Sequence, residues 1–187
     1  RPLAESLERW HDLERVMQLN YFAPARLIRA ALPSMRAQGG GTIVNVLSAG
    51  AIFPAPRFGA YTASKAALGQ LGDTLGAEHL HEGIRVSNVF LPWVRTPMMD
   101  ATGKYEETQA MTPEEAARWI VGGIAHRRAH VRSAEVRRRF VGMRWAPTTI
   151  TRILNVLYRA YSDDPSAYPE LALDRMILKR IFRGNPM

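Results

Sequence analysis

Apolar side chains recur at intervals of three and four through Leu13, Val16, Met17, Tyr21 and Phe22, and the pattern stops at Gly39–Gly41. This periodicity predicts helix from the N-terminal end to the glycines. Pro24 interrupts it, because proline has no N–H to give the carbonyl four residues back, which is that of Asn20. After the glycines, Ile43, Val44, Val46 and Leu47 form a short apolar run and predict a buried strand over Thr42–Ser48. A loop over Ala49–Gly59 carries Pro54 and Pro56, and a helix opens near Tyr61 and runs to Leu80. A second strand, Arg85–Leu91, follows the Glu82-Gly83 turn, and a third is expected near Val131. Thr112-Pro113-Glu114-Glu115 opens another helix with an N-cap, a proline in the first position and a capping-box glutamate.

The helix after the proline-bearing loop has unusual spacing. Tyr61 and Lys65 are four apart and stack on one face, so phenol and ammonium address one small volume. Gly69, Gly72 and Gly76 fall on the same side at 100° per residue. Each costs about 1 kcal/mol of helix propensity relative to alanine, and close approach to the sheet or a neighbouring helix is the expected compensation. Ser48 ends its strand at the carboxyl edge, where open α/β sheets place ligands. Hydroxyl, phenol and ammonium aimed at one crevice make a proton-transfer site. Taken alone, Tyr61 reads more readily as a half-buried core aromatic, and the strand-end serine and the helical lysine are what shift it.

Composition bounds the rest. The chain has 187 residues, 47% of them hydrophobic, enough for one domain with a real core. It has no cysteine, which excludes a disulfide framework and thiolate metal sites and is compatible with a reducing compartment. No apolar run reaches the length of a membrane span, and the first residues do not read as a signal peptide. The net charge of +8 is uneven: residues 1–125 hold 12 basic and 12 acidic residues, whereas residues 126–187 hold 13 and 5. That places a boundary near residue 125, with a basic helical extension after it.

In the extension, Ile150, Ile153, Leu154, Leu157, Tyr158 and Tyr161 form an apolar stripe among Arg152 and Arg159. Leu171 to Phe182 is similar in character. Basic amphipathic helices with aromatics suit an anionic membrane surface or an acidic ligand, and they equally suit a terminal subdomain with a solvated basic face. No nucleic-acid-binding motif accompanies the charge, so nucleic acid is not expected as a partner. His126 and His130 lie four apart without a third ligand, and no metal site is expected.

Ser48, Tyr61 and Lys65 in this spacing, followed by Pro92-Trp93-Val94-Arg95-Thr96-Pro97-Met98 after the next strand, resemble the short-chain dehydrogenase/reductase family. The resemblance covers residues 8–125 and implies the C-terminal half of a Rossmann-type, doubly wound parallel α/β sheet. It maps the catalytic set onto Asn20, Ser48, Tyr61 and Lys65, with the Asn20 carbonyl holding a water behind the lysine. Tyr61 is the implied proton donor, Ser48 a hydrogen-bond partner of the substrate oxygen, and Lys65 the group that holds the nicotinamide ribose and lowers the tyrosine pKa. Pro92, Val94 and Thr96 are the implied cofactor contacts, although Trp93 stands where the family usually has glycine. Met98 and Met99, with Met111, resemble a substrate-covering loop, for which the alternative is a plain surface loop.

Met17–Phe22, Ala55–Tyr61, Val94–Met98 and Thr112–Ala117 narrow the likeness to the reductase domain of bacterial fatty acyl-CoA reductases. The implied reaction is NADPH-dependent hydride transfer to the carbonyl of a lipophilic substrate, a long-chain acyl-CoA or fatty aldehyde. The implied assembly is a homo-oligomer paired through the Asn20 and Tyr61 helices. The expected location is the cytoplasm, with peripheral membrane contact through the tail. The family's opening strand and TGxxxGxG turn have no counterpart before Asn20, and Gly39–Gly41 precede a strand instead of following one. The nucleotide-binding half is therefore expected to be absent, and residues 1–187 alone are expected to bind cofactor poorly. The alternative is a non-catalytic membrane- or partner-docking module.

Overall fold

A computed structural model describes residues 2–97 and 110–160 of the chain. Three parallel strands form its centre, in the order β1 (Gly41–Ser48), β2 (Ile84–Leu91), β3 (His130–Arg132). The register pairs Asn45 with Asn88 and Leu47 with Phe90, and pairs Val89 with Val131 across the second ladder. β2 is central and buried along almost its whole length, whereas β1 leaves Thr42 and Val46 open.

Helices cover both faces of the sheet. Successive strand residues point to opposite faces, and β2 shows the consequence. The helix α4 (Gly59–His79) lies against Asn88 and Val86, whereas α5 (Pro113–Ala125) brings Gly123 against Ser87 and Val131. This is a doubly wound α/β arrangement. β3 belongs to the same sheet, and Val136 beyond it joins Leu47, Ala49, Leu68 and Phe90 in one apolar cluster. The expected capping box opens α5: the Thr112 hydroxyl accepts from Glu115 N–H, and the Glu115 carboxylate accepts from Thr112 N–H at 2.8 Å.

The N-terminal helix read from the pattern is four pieces. α1 (Leu3–Glu8) and α2 (Trp10–Met17) break at Arg9, and a π turn over Gln18–Phe22 precedes α3 (Ala23–Ala37). Pro24 explains the π turn. Without its N–H the regular ladder cannot continue, and Ala23 N–H bonds the Gln18 carbonyl five residues back.

The glycines act as spacers. At Gly72 an added Cβ would stand 2.4 Å from Asn45 Nδ2 and 2.7 Å from Asn88 Oδ1, and at Gly69 3.0 Å from Leu47 Cδ1. The expected close approach is therefore to the sheet. Gly40 and Gly83 (φ 78°) meet where the turns before β1 and β2 cross, and a Cβ on Gly40 would stand 2.6 Å from the Gly83 carbonyl oxygen. Gly40 and Gly83 thus serve packing between turns, and Gly41 makes room for the Met35 side chain.

After β3 come α6 (Ala134–Trp145) and α7 (Pro147–Ala160). The stripe of α7 considered for a membrane surface is split: Leu154 and Leu157 are buried, whereas Ile153 stays exposed. Tyr161 and the stretch Leu171 to Phe182 lie outside the described residues. Among the described residues no helix is long and apolar enough to cross a membrane.

Close packing at one glycine and open space at another give a paired test. Gly72→Ala should destabilise the protein by about 1–3 kcal/mol through overpacking against the buried asparagines. Gly122→Ala in α5, where a Cβ meets nothing within 4 Å, should stabilise it by about 1 kcal/mol through helix propensity. Urea midpoints of the two variants against the parent check this; shifts of the same sign would refute the close approach of α4.

Candidate active site

β1 delivers Ser48 to the carboxyl edge of the sheet, and the chain turns at once into a short 3₁₀ segment, Ala49–Ala51. Ser48 Oγ accepts the Gly50 N–H at 3.2 Å. A hydroxyl has one hydrogen and two lone pairs, so this bond orients the side chain and leaves its hydrogen available to donate. The loop then passes Arg57 and reaches Phe58, where α4 begins.

α4 carries Tyr61 and Lys65 on its first two turns. Tyr61 keeps 38% of its surface open, yet enough protein surrounds the hydroxyl to push its pKa above the ordinary 10.0. Burial is the largest cause, and hydrogen bonding with Ser48 is the opposing one. The expectation that Lys65 lowers the tyrosine pKa is therefore corrected: Ser48 lowers it, and burial outweighs Ser48. Lys65 is itself shifted down from 10.5 by burial. Its Nζ donates to the Val46 carbonyl at 3.0 Å, on the more open strand of the sheet.

Asn20 reaches the same helix by another route. Its Nδ2 donates to Ser64 Oγ at 3.1 Å, and Ser64 donates to the Tyr61 carbonyl at 2.7 Å. The π turn thus ties α3 to the first turn of α4. Ser64 is fully buried and was not singled out from the sequence. The available signal was a polar residue one turn past Tyr61, where a serine bonds back to the carbonyl three residues earlier.

Pro92, Val94 and Thr96 follow the carboxyl end of β2 as expected. Val94 bridges Met111, with Arg95 N–H to the Met111 carbonyl at 2.9 Å and Met111 N–H to the Trp93 carbonyl at 2.8 Å. Trp93 packs edge-on against Phe58, ring centres 5.7 Å apart. The indole in place of the family's glycine therefore touches the residue that starts α4. Met98 and Met99 lie outside the described residues.

The two histidines considered as a metal pair are on different elements. His126 caps α5, and His130 sits in β3 with Nε2 2.7 Å from Asp73 Oδ1 and Arg132 against its Nδ1. Among the described residues no three His, Asp or Glu side chains cluster as a metal site.

Tyr61, Lys65 and the Pro92–Thr96 segment supply a phenol, an amine and backbone groups at the strand ends, which fit the nicotinamide-ribose end of a dinucleotide. Among the described residues no glycine-rich turn follows a strand and opens a helix, so the diphosphate end has no matching cradle there.

A doubly wound parallel sheet with hydroxyl and phenol brought together at its carboxyl edge defines a Rossmann-type domain. The chain belongs to the short-chain dehydrogenase family, whose description, short chain dehydrogenase, matches residues 4–107. A fatty acyl-CoA reductase of Mycobacterium tuberculosis is 48% identical over 122 residues, 65% of this chain and 42% of that protein. A fatty acyl-CoA reductase of Acinetobacter baylyi is 36% identical over 188 residues, 99% of this chain and 64% of the relative. A short chain dehydrogenase from Burkholderia cenocepacia, solved with NADP, shares the fold with a TM-score of 0.65 at 24% identity, over 74% of this chain and 56% of that one. The chain spans about half the length of the curated relatives it matches.

The pKa directions give a signed prediction. Tyr61 is raised, so the folded state holds its proton more tightly than the unfolded state, and this contribution to stability is lost as pH climbs above 10.0. Lys65 is lowered, so its contribution has the opposite sign: a buried cation is unfavourable below its folded pKa, and the penalty fades toward 10.5. Lys65→Met should therefore raise the melting temperature at neutral pH, with the gain shrinking at alkaline pH. Calorimetric scans across pH read this, and a loss of stability at neutral pH would refute it.

Proposed function

We propose that the protein transfers hydride from a nicotinamide cofactor to the carbonyl of a lipophilic substrate, a fatty acyl-CoA or fatty aldehyde. The observation that carries this is the convergence of Ser48 and Tyr61 at the strand ends, with Lys65 one turn further along the same helix. The identities to proteins named fatty acyl-CoA reductases support the substrate class. NADPH is favoured over NAD on the same resemblance.

When bound, the cofactor supplies the hydride to the carbonyl carbon. Tyr61 donates its proton to the carbonyl oxygen, and its raised pKa keeps it in the acid form needed for that step. Ser48, held by Gly50 N–H, donates its remaining hydrogen to the same oxygen and stabilises developing negative charge there. Lys65 Nζ exchanges the Val46 carbonyl for the ribose hydroxyls, and its burial makes a new acceptor favourable. Asn20 fixes the first turn of α4 through Ser64, and its own carbonyl, denied an N–H from Pro24, is the proposed water holder.

The pairing of copies through α3 and α4 proposed from the family resemblance has one physical support. A groove of about 350 Å³ between these helices is lined by Ile28, Leu32, Leu71 and Leu75. A second copy laid along it would cover these side chains.

With a nucleotide-binding half supplied, Tyr61→Phe removes only the proton donor and should lower turnover by about 10²–10⁴ while cofactor affinity stays nearly intact. Lys65→Met should damage both. Steady-state reduction of a fatty aldehyde together with NADPH fluorescence titration separates the two effects. An active Phe variant would end the assignment of Tyr61 as the acid. For the parent, carbonyl reduction should hold through neutral pH and decline on the alkaline side, above 10.0, as Tyr61 deprotonates.

A further inference from the structure

We infer that the outward face of α6 seats the protein on an anionic lipid bilayer, an inference that does not rest on the proposed reaction. At 100° per residue, Ala134, Arg137, Arg138, Val141, Arg144 and Trp145 fall within one arc of about 120°, and all six are exposed. Val141 keeps 47% of its surface open and Trp145 82%.

The opposite face of α6 is already spent. Val136 is in the core, Phe140 lies under the Arg132 guanidinium at 4.9 Å, and Arg139 joins Glu135 at 2.5 Å while covering the Phe53 ring. Glu135, the single acid of α6, is engaged with Arg139 and stands off the outward arc. Three arginines therefore flank an exposed valine and tryptophan with no carboxylate of the same helix among them. Among the described residues of the basic region, the exposed arc of α6 combines charge with a large aromatic.

Charge complementarity selects an anionic partner, and the apolar members select a bilayer among anionic partners. An indole is stable at the boundary of water and hydrocarbon, where its ring is buried and its N–H stays wet. A soluble polyanion offers Val141 nothing to enter. Basic side chains with Trp on one helical face are the composition that lies in the interfacial plane, and each arginine near an anionic surface adds attraction that salt screens.

The test is co-sedimentation of the protein with mixed phosphatidylserine–phosphatidylcholine vesicles and with phosphatidylcholine vesicles alone, at low and high salt. The parent should bind the mixed vesicles at low salt and the neutral ones far less. Arg137→Gln/Arg138→Gln/Arg144→Gln should weaken binding to mixed vesicles about a hundredfold. Trp145→Ala should weaken it by about tenfold in a manner that salt does not change. Since all four side chains point to solvent, circular dichroism spectra and melting temperatures should match the parent. Unchanged binding by the triple variant, or equal binding of the parent to neutral vesicles, would overturn the inference. Retention on heparin without vesicle binding would also overturn it and assign the arginines to a soluble polyanion.

Discussion

The helix that carries Tyr61 and Lys65 is tied to the sheet by one buried amide. Asn88, with no exposed surface, accepts from Asn45 Nδ2 at 3.0 Å and donates through its own Nδ2 to the Gly69 carbonyl at 2.9 Å and to Asp73 Oδ1 at 2.8 Å. One side chain thereby links β1, β2 and α4. Burying such a group unpaired would cost free energy, and pairing it on three sides converts that cost into a fixed position. The glycines of α4 make the arrangement possible, because a methyl at Gly72 would occupy the space of these amides. From Asp73 the contacts continue to His130 in β3, so the whole sheet is registered against the helix that carries Tyr61 and Lys65.

That registration has an electrostatic result at the other end of α4. Tyr61 and Lys65 are both desolvated, and desolvation favours the neutral form of each. The phenol becomes a weaker acid, and the amine a weaker base. Ser48 moderates the first shift, and the Val46 carbonyl gives the amine an acceptor. A site that begins with a neutral phenol and an amine eager for acceptors is prepared for charge arriving with its ligands.

Much of this was legible in the sequence, for physical reasons that can be named. Strand and helix periods placed Ser48 at a strand end and Tyr61 and Lys65 on one helical face, and apolar runs located β1 and β2, whereas β3, with Val131 between His130 and Arg132, carries no such run. The glycine face of α4 was readable because three propensity penalties on one side require a spatial cause. The Asn45–Asn88 pair was not readable: a buried amide shows no periodicity of its own and needs a partner from a different strand. The break at Arg9 was equally hidden, since apolar spacing continues across it, whereas Pro24 announced the interruption at Gln18–Phe22. The tail left two readings open, because an amphipathic stripe looks the same whether it faces lipid or core; in α7, Leu154 and Leu157 found the core and Ile153 did not.

The loop between Ser48 and Tyr61 is gripped from far along the chain. The Arg139 guanidinium lies 5.3 Å from the Phe53 ring centre, and Arg57 lies 5.6 Å from that of Tyr158. Each contact joins residues separated by a large part of the chain, and contacts of that kind form late, after the loop-closure entropy has been met. During synthesis β1 and α4 emerge well before α6 and α7. The loop that joins Ser48 to Tyr61 therefore gains these two contacts only after α6 and α7 have been made.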